Sequence, residues 1–201
     1  LAWARDSTYA AVALTKSGHR AEAEASFRFW HKIQFENPAQ NALLCASQGG
    51  DVSKLGACGL TAQAFDVGDY SYRGFFPPYL HEFDQPGIFL WGLWAFWKQT
   101  QEKPGGWKDD DIRAIADWLV RRKSDPLGRP QVMPPSCDYF EDPVAGCSLR
   151  QSFYTSSTLY AGLRAAADLL GDQSIRKHAE AYRVLALEKF RGGSCGFQPL
   201  L

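Results

Sequence analysis

Ile88-Phe89-Leu90-Trp91-Gly92-Leu93-Trp94-Ala95-Phe96-Trp97 is apolar on nearly every face that a helix would present. A helix hydrophobic all round is buried among other helices, so this stretch, read as the centre of a helix over 84–101, sets an all-α expectation for the chain. The longest apolar run, 87–97, is too short to cross a bilayer, and no membrane span is expected. Outward from it, helical spacing predicts a helix over 6–17 (Tyr9, Val12 and Ala13, with Gly18 as the stop) and another over 20–35. The stripe of that second helix is Ala21, Ala25, Phe29 and Ile33, and Pro38 lies beyond its end. Further on, 109–123 carries Ile112, Ile115, Ala116 and Leu119 on one side and acids in its first turn. Two last helices, 149–170 and 172–190, are split at Gly171. Very apolar and amphipathic helices alternate, as inner and outer helices of a layered ring would; a plain bundle is the alternative. No internal repeat is visible, which disfavours a regular solenoid.

Between the second and third helices, 37–83 is rich in Gly, Ser, Pro and Asp. Loops of that length inside a domain are usually functional or disordered. The aromatics Phe65, Tyr70, Tyr72, Phe75, Phe76 and Tyr79 argue against disorder, so the region reads as an ordered, cleft-forming insertion.

A chain of 201 residues is long enough for one domain with a real core. Its 22 Lys and Arg against 22 Asp and Glu, with no dense basic run, make nucleic acid an unexpected partner. Seven Trp suit either a large core or a sugar-stacking cleft, core being the default for any one of them. Cys45, Cys58, Cys137, Cys147 and Cys195 form no Cys-x-x-Cys pair and have no His at ligand spacing, so no zinc site is expected. Cys45 with Cys58, and Cys137 with Cys147, could each close a short loop in an oxidising compartment, whereas Cys195 is left over. Secretion and a cytoplasmic location both stay open. The chain opens without Met and closes on Phe197-Gln198-Pro199-Leu200-Leu201, and neither end reads as a natural terminus; no signal peptide is found.

Chemistry concentrates at Asp138-Tyr139-Phe140-Glu141-Asp142. An aromatic wall disfavours ionisation of a neighbouring acid, and adjacent carboxylates make a second negative charge costly, so one carboxyl there can stay protonated. Such an acid can donate to a leaving-group oxygen. An Arg-Asp pair such as Arg5-Asp6 could grip sugar hydroxyls, which completes the outline of a glycosidase site.

Three ordered blocks resemble glycoside hydrolase family 15, the glucoamylase family. Trp3-Ala4-Arg5-Asp6-Ser7 is similar to the Trp-x-Arg-Asp segment that begins an inner helix. Glu82-Phe83-Asp84-Gln85-Pro86-Gly87 and the apolar run after it resemble the opening of another inner helix, closest to the isomaltose- and oligosaccharide-cleaving bacterial and archaeal branch. Asp138 to Asp142 resembles the segment bearing the general acid, with Phe140 where Trp is usual and Asp142 where Glu is usual. Ser152-Phe153-Tyr154-Thr155, continuing to Leu170, resembles the helix after the acid.

The resemblance implies an (α/α)6 toroid of which 1–201 would be an incomplete catalytic domain, roughly its first half. It implies an inverting, exo-acting hydrolase that releases β-glucose from α-linked glucans or gluco-oligosaccharides, without metal or organic cofactor. Glu141 would be the general acid, with the base, another Glu, beyond this chain. Arg5 and Asp6 would bind the terminal glucose and Trp3 would wall the cleft, while Asp84, Asp138, Phe140 and Asp142 would complete the substrate contacts. Standing alone, such a half would expose one side of its apolar helix and is expected to be inactive and prone to aggregate.

Blander readings stand beside these. Glu141 could be a solvated loop acid, Asp6 or Asp84 a helix cap, and Tyr70, Tyr72 and Phe76 packing under a long loop. His19, His31, His81 and His178 are scattered and carry no assigned chemistry. A functional alternative of another class is a non-catalytic, carbohydrate-binding or regulatory domain of the same fold.

Overall fold

A computed structural model describes residues 3–36, 83–122 and 152–191. The proposed insertion up to residue 82, the cluster Asp138 to Asp142 and all five cysteines lie outside the described residues. The described residues are helical, with no strand among them: α1 (Ala4–Lys16), α2 (Arg20–His31), α3 (Asp84–Thr100), α4 (Asp109–Arg122), α5 (Phe153–Leu170) and α6 (Gln173–Phe190).

Each helix has a local reason to start or stop. After α1 the chain reverses through Gly18 at φ +87°, a backbone conformation that side chains disfavour. Helix α3 tolerates Pro86 because it sits in the first turn, where its missing N–H has no helical acceptor to lose. Ser152 caps α5 by accepting from the Thr155 N–H at 3.0 Å, and Asp172 caps α6 by accepting from Ser174 and Ile175. Gly171, left-handed at φ +63°, closes α5.

Three expectations are corrected. Ser152 is extended, so α5 begins at Phe153 rather than at residue 149. The buried face of α2 is Ala23, Phe27 and Trp30, each 0 % exposed, whereas Ala21 and Ala25 face outward. Both sets have helical spacing; the pair of large rings, which removes far more apolar area from water, decides which one turns inward. Helix α1 buries Ala4, Thr8, Ala11, Val12 and Thr15 and leaves Tyr9 and Ala13 exposed. Thr8 and Thr15 are tolerated inside because their hydroxyls donate to the carbonyls of Ala4 and Ala11, at 2.6 and 2.8 Å. The second helix continues into a π-helical turn, Lys32–Glu36, that brings the consecutive residues Ile33 and Gln34 both inward.

The helices form three hairpins in two rows. Helices α1, α3 and α5 lie side by side, and α2, α4 and α6 pack behind them. Arg5 meets Gln85 while Thr8, one turn on, lies against Gly92, so α1 and α3 run in the same direction. Glycine sets the spacing between α3 and α5. A Cβ on Gly87 would stand 2.4 Å from the Thr158 carbonyl oxygen, and one on Gly162 would stand 2.5 Å from Gly87 Cα. Between the rows, Phe27 contacts Phe89 and Phe96 edge-on at 5.7 Å, and Trp107 donates its indole N–H to the Phe27 carbonyl at 2.9 Å. The predicted face of α4 is buried as expected, with Ile112, Ile115, Ala116 and Leu119 all 0 % exposed.

Candidate functional site

The parallel front row brings the N-termini of α1, α3 and α5 to one end of the molecule. Each N-terminus carries backbone N–H groups without helical acceptors and a partial positive charge that favours carboxylates. Trp3 occupies the N-cap position of α1 in extended conformation and makes no side-chain cap bond. A neighbouring helix supplies an acceptor instead: the Arg5 N–H donates to Gln85 Oε1 at 3.1 Å. Gln85 is fully buried, so the two helices share a polar bond inside the core.

The same residue anchors the electrostatics. Arg5 Nη1 donates to Asp84 Oδ2 at 3.1 Å, with the Asp84 side chain 0 % and the Arg5 side chain 9 % exposed. Asp84 begins α3 but does not cap it, since Phe83 holds the cap position without a side-chain bond; the capping alternative for Asp84 does not hold. Asp6, beside Arg5 in the first turn of α1, is exposed, and Trp3 is half-buried.

Two tyrosines complete the end of the row. Tyr154, in the first turn of α5, is hydrogen-bonded to Tyr9 of α1 and stands close enough to Asp84 and Arg5 to feel both charges. Burial first, then the Asp84 carboxylate, pushes its phenol well above the ordinary tyrosine range, and it stays protonated. Tyr9 also packs against Trp91, ring centroids 6.0 Å apart and tilted by 58°.

Of the residues expected in a site, Arg5 and Asp84 are brought into contact, Asp6 and Trp3 flank them, and Asp138, Phe140, Glu141 and Asp142 lie outside the described residues. Sequence reading missed Gln85, Tyr9 and Tyr154. Tyr9 was open to detection, because it sits four residues after Arg5 and shares its face of the helix; Gln85 and Tyr154 carry no charge or spacing signal.

A groove of about 380 Å³ on the back row, lined by Ala21, Glu24, Ala25, Arg28, Phe29 and Lys32, shares no residue with this cluster. It is where most of the misread stripe of α2 ends up. Among the described residues no group of three or more His, Cys, Asp or Glu could hold a metal ion, and no helix is long and apolar enough to cross a membrane. No protein-family model, curated protein or solved structure matches the chain.

Proposed function

We propose that this chain is part of an inverting, exo-acting α-glucoside hydrolase built on an (α/α)6 toroid. One observation carries the reading. Two segments singled out by their resemblance to glucoamylases, Trp3-Ala4-Arg5-Asp6 and Phe83-Asp84-Gln85, are about eighty positions apart yet meet through Arg5 at the N-terminal end of three parallel helices. Parallel front helices, each backed by the second helix of its hairpin, are also the arrangement a toroid of helical hairpins requires.

In this reading Glu141 protonates the glycosidic oxygen as the bond to the anomeric carbon breaks. Water attacks that carbon from the opposite face and loses its proton to a second carboxylate, outside this chain, about 6.5–9.5 Å from the acid. Glucose leaves as the β-anomer. Arg5 and Asp6 orient the terminal sugar, which contributes position rather than chemistry. Asp138 and Asp142 raise the cost of ionising Glu141.

The test is glucose release by the complete reading-frame product from maltose, isomaltose, trehalose and soluble starch, with the anomer read by NMR. β-Glucose, lost in Glu141→Gln, is the expected result. Sugar binding without release from any substrate would replace this reading with a non-catalytic carbohydrate-binding domain.

A further inference from the structure

Tyr9 is an unusual surface residue. It is one of only three large apolar side chains exposed among the described residues, at 46 %. An exposed tyrosine on a helix ordinarily samples several rotamers, yet this one is held at both ends. Its ring rests against Trp91 of α3 at 6.0 Å, and its hydroxyl is hydrogen-bonded to Tyr154 of α5. Three helices therefore fix one solvent-facing ring. Val184 and Leu187, the other two exposed residues, sit together on α6 and carry no polar group that could be tethered in this way.

Fixing an exposed ring loses rotamer entropy, and that loss is recovered when a ligand meets a surface already in its bound shape. The ring lies one helical turn beyond Arg5, on the same face of α1, and Trp91 beside it is half-buried. A flat apolar platform next to a buried cation and a carboxylate has the two recognition elements a sugar requires. The C–H face of a pyranose covers the ring, and its hydroxyls reach the polar groups.

We infer that Tyr9, held by Tyr154 and Trp91, is a substrate-contacting residue that stacks on the non-reducing glucosyl unit, with Tyr154 as its positioning residue. The inference rests on the glucosidase reading and deepens it.

The experiment uses the complete reading-frame product with Tyr9→Ala, Tyr9→Phe, Tyr154→Phe and the double variant Tyr9→Ala/Tyr154→Phe. Tyr160→Phe, on the side of α5 facing Glu180 of α6, serves as the control. Tyr9→Ala should raise KM about tenfold, the size of one lost aromatic contact, with kcat within about twofold. Tyr9→Phe keeps the platform but loses the tether, and with Tyr154→Phe it should raise KM about threefold. The double variant should be no worse than Tyr9→Ala, because the tether has nothing left to hold. An unchanged KM in Tyr9→Ala, or full additivity in the double variant, would overturn the inference while leaving the hydrolase intact. Should the wild type release no glucose, tryptophan fluorescence on titration with maltose and isomaltose decides. A dissociation constant weakened about tenfold by Tyr9→Ala supports the stacking role, and an unchanged one overturns it. A wild type that binds neither sugar overturns both proposals.

Discussion

Replacing Asp84 by Ala leaves the Arg5 guanidinium, only 9 % exposed, without the carboxylate 3.1 Å away. At an effective dielectric of about 20 two unit charges at that separation attract by about 5 kcal/mol. Most of this offsets the desolvation of the two ions, so the pair contributes far less than that to net stability. Removing one partner is different, because the cost of burying the other remains; breaking such a pair typically costs about 3–5 kcal/mol. For a chain of this length each kcal/mol moves the melting temperature by about 2–4 °C, so Asp84→Ala should melt about 6–20 °C lower. Asp84→Asn, which keeps an acceptor without the charge, should fall in between.

The informative variant is the double one. Arg5→Met with Asp84→Leu removes both ions and fills a similar volume, and it should recover stability to within about 1 kcal/mol of wild type. It should also lose glucose release, since the group proposed to orient the sugar is gone. Thermal melts by circular dichroism, paired with the glucose assay, separate the two effects. A double variant as unstable as Asp84→Ala would refute the charge argument and assign the loss to packing. One that keeps full activity would remove Arg5 from the site.

Gly87→Ala places a methyl group 2.4 Å from a backbone oxygen that no rotamer change can move, so α3 and α5 must separate. Overpacking of about 3 kcal/mol against a gain of about 1 kcal/mol in helix propensity predicts a melting temperature about 4–8 °C lower; an unchanged or higher value would deny the close approach. Asp172 is held below its usual value of 3.8, first by the hydrogen bond from Arg113 and then by the N–H groups at the start of α6. A folded value below the unfolded one means that this stabilisation is present above about pH 4 and is lost as pH falls through the depressed folded value. Asp172→Asn should therefore melt below wild type at pH 7, and the gap should narrow on acidification below pH 4. A gap constant with pH would place the effect in the cap rather than in the charge.

Helices are legible wherever size and spacing agree. Ile112, Ile115, Ala116 and Leu119 carry the only large apolar repeat on their side of α4, and that side is buried. On α1 hydropathy misleads, because the buried face carries Arg5, Thr8 and Thr15, whose polar groups are satisfied within the helix or across to α3. Tyr9 fits the apolar spacing and is exposed, so periodicity assigns it to the core in error. Within the candidate site Arg5 and Asp84 are each identifiable from their segments. Their pairing is not, because it depends on the register of two helices that are far apart in sequence.

That register is what joins fold to site. In a sequence, Gly87 and Gly162 read as weak points, each about 1 kcal/mol poorer than Ala inside a helix. In the structure they stand where α3 and α5 come closest, a contact no side chain could enter without moving backbone. Asp84 lies one turn before Gly87, and Tyr154 lies two turns before Gly162. The approach that the glycines permit therefore also brings the Tyr154 phenol within the field of the Asp84 carboxylate and within reach of Tyr9. A methyl group at Gly87 should accordingly disturb more than the melt. By pushing α5 away it withdraws Tyr154 from Tyr9, and Gly87→Ala should raise KM in the way that Tyr154→Phe does. A variant destabilised but unchanged in KM would show that the two helices set the stability of the fold without setting the shape of its site.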